Sequence, residues 1–203
     1  MLAYLQTYPE KLFEPLVEHI TMLVIVMIIS LIVAALLTLL AEYMPRFGKG
    51  AVEFFSLLYS VPSLALLVLM IPLTGLGQLT AIIVLVLYNQ YLLLRNFLTG
   101  LQNVDPASIE IAEAMGMSTL QIVVKIRIPL AKSALFTGIR LATISTISIA
   151  TIAALINAGG LGSLLFEGLR TDNMIKVVWG SLLVGGLAVV ADALLSLATR
   201  KNR

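Results

Sequence analysis

The sequence predicts an all-α integral membrane protein with five transmembrane helices, its N-terminus outside and its C-terminus cytoplasmic. Three observations carry that expectation. First, 60% of the residues are hydrophobic and 12% charged, with a mean hydropathy of +1.04. A soluble domain keeps about a quarter of its residues charged, so lipid is the solvent that fits this composition. Second, five apolar runs lie near 20–41, 52–71, 77–94, 134–157 and 175–198. Each is close to the roughly 20 helical residues that cross about 30 Å of hydrocarbon. Third, the basic residues fall on one side. Arg46 and Lys49 follow the first run; Arg95, Lys125, Arg127, Lys132 and Arg140 follow the third; Arg200, Lys201 and Arg203 follow the fifth. The positive-inside rule makes that side the cytoplasm.

The 19 residues ahead of the first span do not read as a secretory signal. Glu10, Lys11, Glu14 and Glu18 stand where a basic start belongs, and no small-residue cleavage site follows the apolar run. Pro9, after Thr7 or Tyr8, suits the first position of a short helix. Leu12, Phe13, Leu16 and Val17 would give that helix an apolar face on the membrane surface; an ordered lead-in to the first span is the alternative. His19 is the sole histidine and has no second ligand in sequence reach, so no metal site is expected.

Glu42 and Glu53 flank a short loop holding Arg46 and Lys49, placed at the interface. In the second span, Pro62 removes a backbone hydrogen bond and is expected to kink the helix, freeing a carbonyl that a neighbour or a pathway must satisfy. The fourth span is unusually polar, with Thr143, Ser145, Thr146, Ser148 and Thr151; Thr143, Thr146 and Ala150 share one face. Such residues permit close helix packing or line a pathway, and both readings stay open. The glycines of Ala158 to Gly162 follow a helix and lack the lysine of a phosphate loop, so they read as a flexible outer turn. Asp192 is the acid inside the fifth span, functional by default. Arg200, eight residues on, offers it a pairing near the cytoplasmic surface instead.

One segment is built to stay out of the bilayer: Asp105 to Pro129, on the cytoplasmic side of this topology. Asp105 is a good N-cap and Pro106 suits the first helical position. A helix over 107–115 stops at Gly116, where a side chain would obstruct a tight corner. Ser118 and Gln121 have capping-box spacing and open a second helix. That helix should end before Pro129, which disfavours helical backbone at Ile128. An ordinary cytoplasmic loop is the structural alternative.

The pattern Glu110-Ile111-Ala112, Gly116, Ile126, Ile128-Pro129 resembles the EAA motif of ABC importer membrane subunits: E-A-A-x-x-x-G, nine residues, then I-x-L-P. Ile111 and Ile128 replace Ala and Leu, keeping apolar side chains, and Ile111 is bulkier. Val61 to Leu66, Ile71 to Gly77, Asn103 to Pro106 and Ala153 to Gly162 further resemble the glycine betaine/carnitine/choline (osmoprotectant) permease branch. Asn157 departs from it, standing where a small residue such as glycine is expected.

The resemblance implies a MetI-like type I ABC importer fold. It also implies a membrane permease subunit that moves a compatible solute (glycine betaine, carnitine or choline) by alternating access. Glu110, Ala112, Gly116, Ile126, Ile128 and Pro129 would couple it to the ATPase. Pro62, Ser63, Thr143, Thr146 and Asn157 are candidates for the translocation path. The chain would be no enzyme and bind no cofactor of its own; ATP and Mg belong to the partner. The implied partners are a cytoplasmic ABC ATPase dimer, an extracellular or lipid-anchored substrate-binding protein, and a second permease subunit, identical or homologous. Together they sit in a bacterial plasma (inner) membrane, with no role for nucleic acid. The lack of a G-x-x-x-x-G-K-[ST] loop agrees with an ATPase encoded elsewhere. Tyr59, Tyr88, Tyr91 and Trp179 offer ring faces suited to a quaternary ammonium, or mark the headgroup belt. The alternatives are a related ABC importer for another small solute such as methionine, or an ion-coupled secondary transporter.

Overall fold

A computed structural model describes residues 2–200; Lys201 and Arg203, part of the charge bias above, lie outside the described residues. A short helix α1 (Leu2–Thr7) leads to α2 (Glu10–Tyr43), and Pro9 immediately precedes α2. At 1.5 Å per residue, the 34 residues of α2 run about 51 Å, well beyond the hydrocarbon thickness. Residues 10–19 therefore continue the first span as its lead-in, and no separate surface helix forms there.

The second span is not a single kinked helix. It is α3 (Pro45–Ser60) and α4 (Ser63–Thr74), set at 100° to each other. Val61 takes extended backbone (φ −69°, ψ 134°), as the residue before a proline prefers, and the helix restarts after Pro62. The predicted loop holding Arg46 and Lys49 is the start of α3: Pro45 supplies the first position, so the chain turns without a loop. Gly48 lets α3 press on α2, since a Cβ there would lie 2.7 Å from that of Ala41. The Leu58 carbonyl, which Pro62 has no N–H to serve, accepts instead from the Val61 N–H at 3.2 Å, and the Val61 carbonyl at the break accepts from the Tyr88 hydroxyl.

Helix α5 (Gln78–Gln102) outruns the predicted third span by about two turns, because Leu98 and Leu101 keep packing after Arg95. It is the central element: Ala81, Val84, Leu85 and Leu93 are fully buried. The polar segment follows as α6 (Pro106–Ala114), α7 (Thr119–Ile122), a π-helical stretch (Val123–Arg127) and α8 (Ile128–Leu130). Then come α9 (Lys132–Ala153), a 3₁₀ turn (Ala154–Ile156), α10 (Leu161–Arg170) and α11 (Met174–Arg200). Among the described residues α2, α5, α9 and α11 are long and apolar enough to cross a membrane, and the α3–α4 pair, bent by 100°, has the apolar length of a fifth only if its two halves count as one broken span.

Small residues set the spacing of α5 and α9. A Cβ at Gly100 would come within 2.6 Å of that of Ala134, and one at Gly138 within 2.9 Å of that of Asn96. Such pairs allow the close backbone approach on which lipid-embedded helices rely for association. Two apolar clusters fill the bundle: one joins α2, α4, α5 and α9 around Val26, Leu67 and Leu85, the other joins α2, α5 and α9 around Ala34, Leu93 and Ile147.

Candidate functional site

The segment between α5 and α9 is a built corner. The Asp105 side chain accepts from the Ala107 N–H at 3.2 Å, capping α6. Ser118 and Gln121 form both halves of a capping box at the start of α7: Gln121 N–H to Ser118 Oγ at 3.4 Å, and Ser118 N–H to Gln121 Oε1 at 2.8 Å. Between them Gly116 adopts φ +75°, while a Cβ built on it meets nothing within 4 Å. The glycine is needed for its left-handed backbone, and the crowding expected from sequence is absent. Ala112 is buried within the corner, and its carbonyl accepts from the Met117 N–H.

The second helix does not end before Pro129. Ile128 is helical (φ −59°, ψ −49°), and its N–H bonds the Val123 carbonyl, five residues back. A π turn inserts an extra residue and leaves a carbonyl without a donor. Pro129 has no N–H to give, so the two gaps coincide and the helical course passes through. Glu110, Ile128 and Pro129 are exposed, and Ile126 is half-buried. Beside them Ile111 is 63% exposed and Met115 75%, with Leu120 and Val124 half out. The segment is too short to cross lipid and caps itself, yet it presents an apolar surface. Such a patch suits contact with another protein or with the membrane surface.

The candidate pathway residues fall in three places. Pro62 and Ser63 stand at the α3–α4 break, the former exposed. Thr143 and Thr146 are buried in a polar seam between α2, α5 and α9. Asn89, unremarked in the sequence, donates there to Thr146 Oγ1 at 2.9 Å and Ser30 Oγ at 3.2 Å, and Thr146 donates back to the Ala142 carbonyl. Asn157 is exposed, with φ 62° and ψ 32°. That is the left-handed region, where glycine is at ease and asparagine is among the best tolerated side chains, which reconciles its departure from the expected small residue.

After Asn157 the glycine run is a packed corner, where a flexible turn was expected. Its amides are held by α2: Glu18 Oε2 accepts from Gly160 N–H at 2.9 Å, and His19 Nδ1 from Leu161 N–H at 3.4 Å. His19 is thus a buried cap for α10. A Cβ on Gly162 would fall 1.9 Å from the Thr151 carbonyl oxygen, so α10 lies directly on the end of α9. This helix escaped the sequence reading because its glycine-rich start hid the apolar spacing Leu161, Leu164, Leu165, Gly168. Asp192 pairs with Arg140 of α9: Arg140 Nη2 donates to Oδ2 at 2.7 Å, and Nε to Oδ1; the Arg200 side chain, the partner expected from sequence, lies outside the described residues. The bidentate geometry ties α11 to α9, a pairing of helices that no local pattern announces.

Residues 28–203 match the family of binding-protein-dependent transport system inner membrane components. The choline transport system permease protein OpuBB of Bacillus subtilis (strain 168) is 34% identical over 99% of this chain and 93% of its own. The glycine betaine/carnitine/choline transport system permease protein OpuCB of the same organism is 33% identical, with the same coverage. Among solved structures, an inward-facing form of the MetNI methionine ABC transporter superposes with a TM-score of 0.81 at 21% identity, over 100% of this chain and 99% of that one. That likeness agrees with the MetI-like fold expected from the sequence. Half-buried apolar helices, the capped corner and these matches converge, and the chain belongs to the binding-protein-dependent transport system inner membrane components.

Proposed function

We propose that this chain is the permease subunit of an ATP-driven importer that carries a compatible solute (glycine betaine, carnitine or choline) by alternating access. One observation carries the mechanical half of that reading: the self-capped α6–α7 corner, with exposed Ile111 and Met115 around the motif residues. A small rigid helix pair passes on the rigid-body movement of a partner, where a loose loop would absorb it. Glu110, Ala112, Gly116, Ile126, Ile128 and Pro129 are the residues through which an ATPase dimer, holding ATP and Mg, would drive the spans. The solute half rests on the relatives named for choline, carnitine and glycine betaine.

In this reading the charge bias sets α6–α8 in the cytoplasm and the α10 corner outside, where a loaded binding protein docks. A second permease subunit completes the pore. The five pathway candidates are then exposed to solute in turn as the subunits rock. An intramembrane carboxylate often marks an ion or proton pathway, and here Asp192 is engaged with Arg140. The test is reconstitution in proteoliposomes with the partner ATPase and binding protein. Radiolabelled betaine, carnitine or choline should enter only with ATP; entry driven by an ion gradient without ATP overturns the proposal.

A further inference from the structure

Two clefts run together along α3 and α5 and share Val52, Glu53 and Arg95. One, of about 460 Å³, adds Ser56, Leu57 and Tyr91. The other, of about 490 Å³, continues towards Gly48 and Arg127. Glu53 and Arg95 face this space with opposite charge, yet they do not pair: the ion pairs among the described residues are Arg127–Glu42, Arg140–Asp192 and Lys176–Glu167. Glu53 has no hydrogen-bond partner among the described residues. Arg95 donates one N–H to Tyr91 Oη at 2.6 Å and lies 5.8 Å from that ring's centroid, which leaves most of its five donors unused. Tyr59 backs Tyr91 with ring centroids 5.0 Å apart and touches Tyr88 at 5.3 Å. The Tyr88 hydroxyl is fixed on the Val61 carbonyl at the helix break. Tyr91 alone of these rings lines the cleft, beside an acid and a base with no ion pair between them.

We propose that this α3–α5 cleft is a subsite for a small zwitterion with a methylated ammonium at one end and a carboxylate at the other. The ammonium lies against the tyrosine surface and Glu53, and the carboxylate on Arg95. A quaternary ammonium has no N–H to donate, so ring faces and a carboxylate's diffuse charge are what can hold it. A carboxylate fits the guanidinium fork in a way that an ammonium point charge cannot match. Separated opposite charges in a membrane protein face water, protein or ligand, and a zwitterion satisfies both. The inference rests on the solute reading above and adds the place where that solute pauses.

The experiment is equilibrium binding of radiolabelled glycine betaine, choline and methionine to the permease–ATPase complex in nanodiscs, without binding protein. The expected result is that Arg95→Gln weakens betaine at least about tenfold and leaves choline, which has no carboxylate, within about twofold. Glu53→Gln should weaken both. Arg95→Lys should restore betaine only in part. No betaine binding to the wild-type complex, or betaine binding untouched by both Arg95→Gln and Glu53→Gln, overturns the subsite whatever uptake shows. Equal binding of methionine, lost in the same variants, keeps a zwitterion subsite but sinks the quaternary-ammonium reading, so the two failures are distinguishable. A wild-type size-exclusion profile with the ATPase subunit retained shows that the variant complexes are assembled.

Discussion

Arg127, the last residue of the π-helical stretch, donates through Nη1 to Glu42 Oε2 at the end of α2, 85 residues away in sequence. The pair is mostly buried, and Arg127 Nε is itself buried without a partner. It ties the exit of the α6–α8 corner to the first span. Breaking one side leaves a half-satisfied guanidinium at a cost of about 1–3 kcal/mol. Glu42→Gln and Arg127→Gln should each lower the thermal midpoint of the purified complex and reduce solute moved per ATP hydrolysed. The swap of both charges should recover much of the loss. Equal loss in the swap would show that position, and not pairing, matters.

Gly116 needs its φ of +75° and has open space where a Cβ would sit. Gly116→Asn should keep substrate-stimulated ATP hydrolysis, while Gly116→Val should lose it, with a backbone penalty of about 1–2 kcal/mol. Circular dichroism and membrane yield should match wild type in both, because the strain is confined to the corner.

Gly162 is the opposite case. A Cβ there would meet the Thr151 carbonyl oxygen at 1.9 Å, whereas one at Gly185 meets nothing within 4 Å. Gly162→Ala should abolish folded yield in size-exclusion profiles, and Gly185→Ala should leave it unchanged.

The Lys176 ammonium donates to Glu167 Oε1 at 2.6 Å and holds its carboxyl below the ordinary value of 4.5. A depressed carboxylate pKa adds stability that is present above the unfolded value and lost as pH falls through the folded one. The α10–α11 corner should therefore loosen only on the acid side, below about pH 4.5. Hydrogen exchange across 161–175 checks this; Glu167→Gln should remove the acid-side dependence.

The four long spans were legible because apolar length alone reports them, and the α6–α7 corner because Asp105, Gly116, Ser118 and Gln121 act over a few residues each. What stayed hidden acts across space. The Arg140–Asp192 and Arg127–Glu42 pairs join residues 52 and 85 apart, and no local pattern announces either. The 100° break at Val61-Pro62 read as a kink, because a proline marks the lost hydrogen bond but not how far the helix then swings. The path through Pro129 was missed because a π turn upstream had already opened the gap that the proline would otherwise force. His19 and Glu18 gave no sign of capping α10, since capping from a distant helix has no sequence spacing.

In the proposed importer the α6–α7 corner touches the ATPase. The chain has no cysteine, so Met115→Cys, at a position 75% exposed, carries a single reporter thiol. A short bifunctional cross-linker applied to the assembled complex should yield an adduct with the ATPase subunit, and the bound ATPase should slow maleimide labelling of that thiol. Labelling as fast in the complex as in the permease alone, with no ATPase adduct, would contradict the central claim.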